Sequence, residues 1–282
     1  MADRVRCLLF LTGGLASLDW SQKIADIISR SPGLEGKILE IVQSIYNFSS
    51  DGKSRIRREK QAEFYNNRVW TGKLVEAGYP TKDYAGSLSF YGTDFESIKL
   101  VSSAISKEIQ TLKEGSEDSV ALWMVGIDEV KINKVPTDLF RPMAKFMGLI
   151  IRNPALTVEQ FHKHWSEPHA ALFCSKPLVQ QKVVNYKQYH SKPEWKEELA
   201  KAGLNMSKVE GIVEIYFETL EDLEAIFTSM EHVESMMPDE AIFVHLEESG
   251  ILVGNEMSES LSSQGPNEPP VAPFAGLDLG SR

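Results

Sequence analysis

All six histidines of this chain lie in its second half, and four of them fall between residues 146 and 191. These four are His162, His164, His169 and His190, and they are followed later by His232 and His245. Histidine is the side chain whose unperturbed pKa lies near neutrality, so it is the group most often used for proton transfer. The distribution indicates that the second half carries the chemistry.

Three of the four histidines lie on one predicted helix, over residues 157–173. Thr157 is followed by Gln160 three positions later, which is the capping-box pattern that starts a helix. Pro168 has no backbone N–H to donate inside a helix, so we expect a kink at 165–167. The space beside a kinked helix packed on a sheet can form a pocket.

Helical spacing distributes the polar and aromatic side chains of this segment. Phe161 and Trp165 fall on one face with His164 beside it, whereas His162, Trp165 and His169 share a single stripe. We expect His162 at the surface. His164 is either an ordinary half-buried histidine or a functional one, and His169 is equally consistent with a catalytic or a structural role.

The fourth histidine closes a predicted strand, over residues 183–190. Alternation along a strand places Tyr186, Gln188 and His190 on the same side. A phenol, an amide and an imidazole in a row can position or deprotonate a polar substrate. The alternative is an ordinary strand end with a polar rim.

The spacing of the histidines argues against a metal site. His162 and His164 are two positions apart and His164 and His169 five apart, and neither spacing brings two ligands together on a helix. The chain has no G-x-G-x-x-G, Walker A, G-x-S-x-G or C-x-x-C motif. We therefore expect no metal, and find no support for nicotinamide, flavin or ATP chemistry.

Composition limits the class of partner and the compartment. The 282 residues carry a net charge of −10, which argues against nucleic acid or an anionic membrane as the main partner. Cys7 and Cys174 are too few for a disulfide framework. The first apolar run, 7–11, is too short for a signal peptide or a membrane span. We expect a soluble, cytoplasmic protein.

The element order repeats once along the chain and predicts an α+β fold. Each half reads β-α-β-β-α-β, so we expect tandem ferredoxin-like repeats that pack their sheets into a dimeric-α/β-barrel-type fold within one chain. The halves are 1–135 and 143–256, and 257–282 is expected to be a disordered tail. The basic stretch 53–60 is either a patch for a phosphate-bearing ligand or a solvated helix face or loop. Strands are expected over 4–12, 37–48, 86–91, 120–130, 147–152, 183–190, 211–217 and 241–254, and helices over 19–31, 93–108, 157–173, 193–202 and 220–236, with Thr93 and Glu96 as a second capping box.

The second half resembles the EthD family of dimeric α+β-barrel proteins, over about residues 146–254. The resemblance is carried by a strand FMGLIIR from Phe146, then LTVEQF from Leu156, His164-Trp165, PHAAL from Pro168 and YKQYH from Tyr186. Downstream it continues with GIVEIYF from Gly211, a helix over 220–230, and DEAIF from Asp239. The first half is similar to a degenerate copy that lacks histidines.

The resemblance implies an activity and the residues that carry it. Members that act in fungal polyketide biosynthesis resemble cofactor-free cyclases, dehydratases, decarboxylases or anthrone-type oxygenases. By this resemblance His169 is the first candidate for general acid and base, and His190 the second. Substrate-binding candidates are Trp165, His164, Tyr186, Phe161 and Tyr216.

We therefore expect a cofactor-independent enzyme of secondary metabolism acting on a polyketide-like or aromatic intermediate. The alternatives are an anthrone-type or haem-binding oxygenase on the same fold, and a non-catalytic binding or stress-response module. Family members usually close the barrel by pairing two chains, so this chain is expected to be a monomer with an internal pseudo-dimer, or a homodimer.

Overall fold

The computed structural model describes residues 4–11, 15, 18, 20–31, 33–34, 36–45, 86–113, 121–134, 136 and 143–259. The basic stretch 53–60 lies outside these residues, as does the predicted tail from 260 onward.

The structure contains the strands β1 (Val5–Leu11), β2 (Ile38–Ile45), β3 (Gly86–Gly92), β4 (Ala121–Asn133), β5 (Ala144–Ile150), β6 (Val183–Ser191), β7 (Gly211–Phe217) and β8 (Gly250–Glu259). These eight antiparallel strands close into one barrel, in the order β1-β3-β2-β8-β5-β7-β6-β4. Each half contributes the ferredoxin-like order of fourth, first, third and second strand, namely β4-β1-β3-β2 and β8-β5-β7-β6. The halves join where β2 pairs with β8 and β4 with β6. The predicted fold class is confirmed, and the barrel closes within a single chain.

The helices pack on the outer face of the barrel. In the first half, α1 (Trp20–Ser29) and α2 (Phe95–Lys113) cover the sheet through Trp20, Ile24 and Ile98, all of which are fully buried. Within the described ranges no helix is both long enough and apolar enough to cross a membrane. The helices are α1 (Trp20–Ser29), α2 (Phe95–Lys113), α3 (Val158–His164), α4 (Ala170–Cys174), α5 (Pro177–Lys182), α6 (Pro193–Lys201), α7 (Leu220–Phe227) and α8 (Met237–Phe243), with π-helical turns at Trp165–His169 and His232–Met236.

The predicted capping box before α2 is wrong. Asp94, not Thr93, caps this helix, because its Oδ1 accepts a hydrogen bond of 2.7 Å from the backbone N–H of Ser97. The Thr93 hydroxyl instead donates to the other oxygen of Asp94. Two adjacent residues can each cap a helix, and the carboxylate, which also accepts from the Ser97 hydroxyl, takes the position here.

The last strand begins and ends later than predicted. Residues 241–243 belong to α8, whose start combines Pro238 with Asp239 and Glu240 in the first turn, where proline and acidic residues favour a helix. The strand β8 then runs to Glu259, and Met257 pairs with Gln43 of β2. Residues 257–259 are therefore part of the barrel rather than of the tail.

The barrel interior contains a buried ion network at one end. Arg6 on β1 contacts Glu214 on β7 through two hydrogen bonds of 2.7 and 2.8 Å, and its side chain also lies 3.0 Å from Asp128 on β4. Lys145 on β5 lies 2.7 Å from Glu214. Burial acts to raise the pKa of Glu214, but Arg6 and Lys145 outweigh it and lower that pKa. The network links strands of both halves.

Candidate active site

A π-helical turn replaces the predicted kink in the helix over 157–173. The capping box of Thr157 and Gln160 starts α3 as predicted, with both reciprocal hydrogen bonds present. The wider turn over Trp165–His169 contains Pro168 and buries both Trp165 and His169. Such turns are frequent at functional sites, because the extra residue changes which side chains face inward.

The imidazole of His169 is held by a carboxylate from another helix. His169 Nδ1 lies 2.7 Å from Oδ2 of Asp239, which stands in the first turn of α8. His164 Nε2 lies 3.1 Å from the other oxygen of Asp239, so two histidines flank one carboxylate. The hydrogen bond from His169 lowers the pKa of Asp239 and keeps that group ionised.

A cavity of about 80 Å³ lies between the outer face of the second sheet and these helices. Its walls are mostly aromatic and aliphatic, with a few polar side chains among them. This combination is typical of sites for small organic molecules. Its lining includes Trp165, His169, Phe173, Tyr186, His232 and Glu240.

His232 adds a second imidazole to the cavity wall. It begins the other π-helical turn, is 3% exposed, and has its Nε2 3.8 Å from Oε1 of Glu240. Burial, together with the nearby His169, lowers the pKa of His232 to about 4. His232 is therefore neutral at pH 7.

Tyr186, Gln188 and Trp165 form a hydrogen-bonded group beside the cavity. Gln188 Nε2 donates to the Tyr186 hydroxyl at 2.6 Å and to the backbone oxygen of Trp165 at 2.9 Å. The indole of Trp165 packs directly on Gly211, where an added Cβ would lie 2.4 Å from the ring. Burial raises the pKa of Tyr186, so the phenol is protonated at neutral pH.

His190 lies on the same side of β6 as Tyr186 and Gln188, as predicted, but it faces a different space. It lines an open cleft of about 430 Å³ together with Glu129 and His162. Its ring centroid lies 4.7 Å from that of Trp165, which stands between the cleft and the cavity. The two histidines that were candidates for proton transfer, His169 and His190, are thus not brought together.

His162 is half-buried rather than at the surface, so that prediction is wrong. Its Nδ1 lies 2.7 Å from Nδ1 of His190 because the end of β6 runs beside α3. Burial and His162 lower the pKa of His190 to about 3, and burial also lowers the pKa of His162.

Three other predicted binding residues lie off the cavity wall. Phe161 packs behind it, with its ring centroid 5.6 Å from Trp165 and 5.9 Å from Phe243. His164 holds Asp239 rather than facing the cavity. Tyr216 faces the barrel interior, where Lys145 lies 5.1 Å from its ring centroid.

Sequence reasoning assigned no role to Asp239, Glu240 or His232, which the structure places at the site. Asp239 and Glu240 follow Pro238, a local pattern that indicates a helix start but not a partner. His232 is indistinguishable from a surface histidine in sequence, because the π-helical turn that buries it has no clear local signature. Only their contacts in the folded structure identify these three residues as part of the site.

The histidines and carboxylates of the site do not form a metal-ligand cluster. In the part of the chain that the structure describes, no three His, Cys, Asp or Glu side chains are arranged to hold a metal. At the cavity wall, His169 commits one ring nitrogen, Nδ1, to Asp239.

A similar fold occurs in a known structure. An anthrone oxidase-like protein superimposes with a TM-score of 0.52 at 10% identity, covering 94% of this chain and 98% of its own. A mutant chlorite dismutase from Candidatus Nitrospira defluvii gives a TM-score of 0.47 at 10% identity, covering 91% and 92%. At this identity the first likeness shows the fold alone, that of a dimeric α/β barrel.

Residues 153–247 match the model of the EthD domain family. This segment holds His164, His169, His232 and Asp239, and it is an EthD domain. No curated protein sequence matches the chain.

Proposed function

We propose that this protein is an enzyme that moves a proton on an apolar small molecule, with His169 as general acid and base. The observation that carries the proposal is the 2.7 Å contact between His169 Nδ1 and the ionised Asp239, at the wall of a mostly apolar cavity. A carboxylate that cannot donate a proton makes Nδ1 the donor. The lone pair of the imidazole is then on Nε2, the atom left for a substrate.

Asp239 contributes to both halves of a proton transfer. It fixes the ring and its tautomer while His169 accepts a proton, and it stabilises the imidazolium that results. His164 holds the second oxygen of Asp239 and so restricts rotation of the carboxylate. Trp165 and Tyr186 supply the walls. We assign no proton transfer to His190, because it lines the other cleft.

The cavity walls favour a carbon-rich substrate and keep water away from the reacting atoms. Phe173, Phe227 and Phe243 supply much of the apolar surface, which suits an aromatic or polyketide-like intermediate. Positioning and acid–base catalysis need no cofactor. We propose that proton transfer by His169 sets off cyclisation, dehydration or decarboxylation, the chemistry of a lyase or cyclase.

A second candidate is an oxygenase that begins with the same proton abstraction. An anthrone oxidase-like protein shares the barrel over nearly its whole length. A carbanion formed by His169 in an apolar cavity could then react with dioxygen. The two candidates differ in one respect that is simple to measure, since only the oxygenase consumes oxygen.

The test is deletion of the gene in its native host, with mass spectrometry of the compound that accumulates and of the product that is lost. An accumulated compound heavier than the lost product by one CO2 identifies a decarboxylase, and one heavier by one water identifies a dehydratase. An isomer identifies a cyclase. A compound lacking oxygen identifies the oxygenase, and purified protein should then turn it over in air but not under nitrogen.

An unchanged metabolite profile would contradict the enzyme proposal. It would favour a non-catalytic binding module, for which replacement of all six histidines leaves ligand binding unchanged.

A further inference from the structure

The side-chain amide of Gln188 has only one possible orientation. Its Nε2 lies 2.9 Å from the backbone oxygen of Trp165, and a carbonyl oxygen can only accept. The atom next to it must therefore be the NH2 group and not the amide oxygen. The same nitrogen lies 2.6 Å from the Tyr186 hydroxyl, so Gln188 donates to Tyr186.

The orientation of Gln188 determines what the Tyr186 hydroxyl can do. Its oxygen accepts from Gln188, and its own proton is left to donate elsewhere. Among the residues that the structure describes, none accepts this proton: the other contact of Tyr186 is an edge-to-face packing on Phe173. The side chain is 1% exposed, and a buried hydroxyl proton without an acceptor is costly.

The cavity is the space in which an acceptor can be placed, since both Tyr186 and His169 line it. We propose that Tyr186 donates a hydrogen bond to a carbonyl oxygen of the substrate, which is a carbonyl compound with an acidic C–H bond and an apolar body. The reaction assigned to this pair rests on the proposed function, whereas the hydrogen bond does not.

The proposed step needs no reactant other than the substrate. The C–H bond next to the carbonyl breaks and its proton moves to Nε2 of His169. The electron pair forms a C=C bond, and the carbonyl oxygen becomes an enolate oxygen that the Tyr186 O–H stabilises without transferring its proton. His169 then returns the proton to carbon, which restores the ketone, or gives it to a β-hydroxyl group. In the second case the enolate re-forms the C=O bond, a C=C bond forms between the α and β carbons, and the β C–O bond breaks to release water.

Two probes of the same shape test the hydrogen bond. Acetophenone has a C=O group where α-methylstyrene has a C=CH2 group, so only acetophenone can accept a hydrogen bond. We expect the wild-type protein to bind acetophenone about tenfold more tightly, the ratio that one hydrogen bond supplies. Tyr186→Phe keeps the ring against Phe173 and should bind both probes equally.

The matched control is Tyr189→Phe, on the same strand but facing the barrel interior. The Tyr189 hydroxyl donates to the backbone oxygen of Arg6 at 2.9 Å, so this variant also loses a buried hydroxyl. It should keep the wild-type preference for acetophenone.

The carbonyl stretch of bound acetophenone gives a second readout that stability does not affect. It should shift to lower wavenumber in the wild-type protein and Tyr189→Phe, but not in Tyr186→Phe. The proposal is overturned if the wild-type protein does not prefer acetophenone, or if acetophenone bound to it shows no shift of the carbonyl stretch. It is also overturned if Tyr186→Phe retains both the preference and the shift. Loss of the His169 assignment alone would leave this preference intact, so the two failures are distinguishable.

Discussion

His169 Nδ1 and Asp239 Oδ2 lie 2.7 Å apart although the residues are 70 positions apart in sequence. One stands at the end of a π-helical turn and the other in the first turn of α8. The pairing therefore depends on the packing of two helices on the same sheet. Because Asp239 also holds His164, the carboxylate has a fixed position from which to orient the imidazole of His169.

Asp239→Asn should lower kcat about 100-fold or more with little change in KM. An amide neither fixes the tautomer of His169 nor stabilises its protonated form. The measurement is steady-state turnover of the compound that accumulates in the deletion strain.

Asp222→Asn is the matched control, because Asp222 pairs with Lys182 on the adjacent helices, and Asp222 is not among the residues lining the cavity. A kcat for Asp239→Asn equal to that of this control would contradict the role given to Asp239.

Stability should fall as the pH drops from about 6.5 towards 4. His232 and His190 have ordinary pKa values of 6.5 when unfolded but about 4 and about 3 in the fold. The unfolded chain therefore binds protons that the folded chain excludes, and the stabilisation present above pH 6.5 is lost on acidification. Each histidine contributes at most about 1.4 kcal/mol per pH unit.

The measurement is urea unfolding at pH 7 and pH 4.5 for the wild-type protein and His232→Gln. The variant should show a smaller difference in unfolding free energy between the two pH values. An identical difference would mean that His232 is not held neutral by burial.

Removing Arg6 from the buried ion network of the barrel should destabilise the protein strongly. Arg6→Met leaves the buried Glu214 with fewer partners, and loss of one member of a buried pair costs about 3–5 kcal/mol. Denaturant unfolding measures the loss.

Lys201→Ala removes an exposed ion pair with Glu197 and serves as the control, with stability nearly unchanged. If Arg6→Met were as stable as this control, the network would not hold the two halves together.

The fold was predictable because local sequence patterns determine where most of its strands and helices form. The β-branched and aromatic runs became strands, and the repeated order of elements was sufficient to predict tandem halves and a closed barrel. The spacing of Thr157 and Gln160 predicted a helix start that depends on those residues alone. The prediction that Thr93 caps α2 was wrong because the neighbouring Asp94 takes the N-cap position.

The site was less predictable because its contacts join distant segments. The family resemblance made His169, Trp165 and Tyr186 candidates, and all three line the cavity. Asp239 could not be paired with His169 without knowledge of how α8 packs. His162 was expected at the surface because the residues that cover it, including His190, come from another element.

The most direct test of the central claim is restoration of the missing product in the deletion strain by His169→Gln. Expression level and thermal midpoint should match those of the wild-type protein, so that only the acid–base group differs. We predict that the wild-type gene and Tyr189→Phe restore the product, while His169→Gln leaves the accumulated compound unchanged. Restoration by His169→Gln at the wild-type rate would contradict the assignment of His169 as the proton-transfer group.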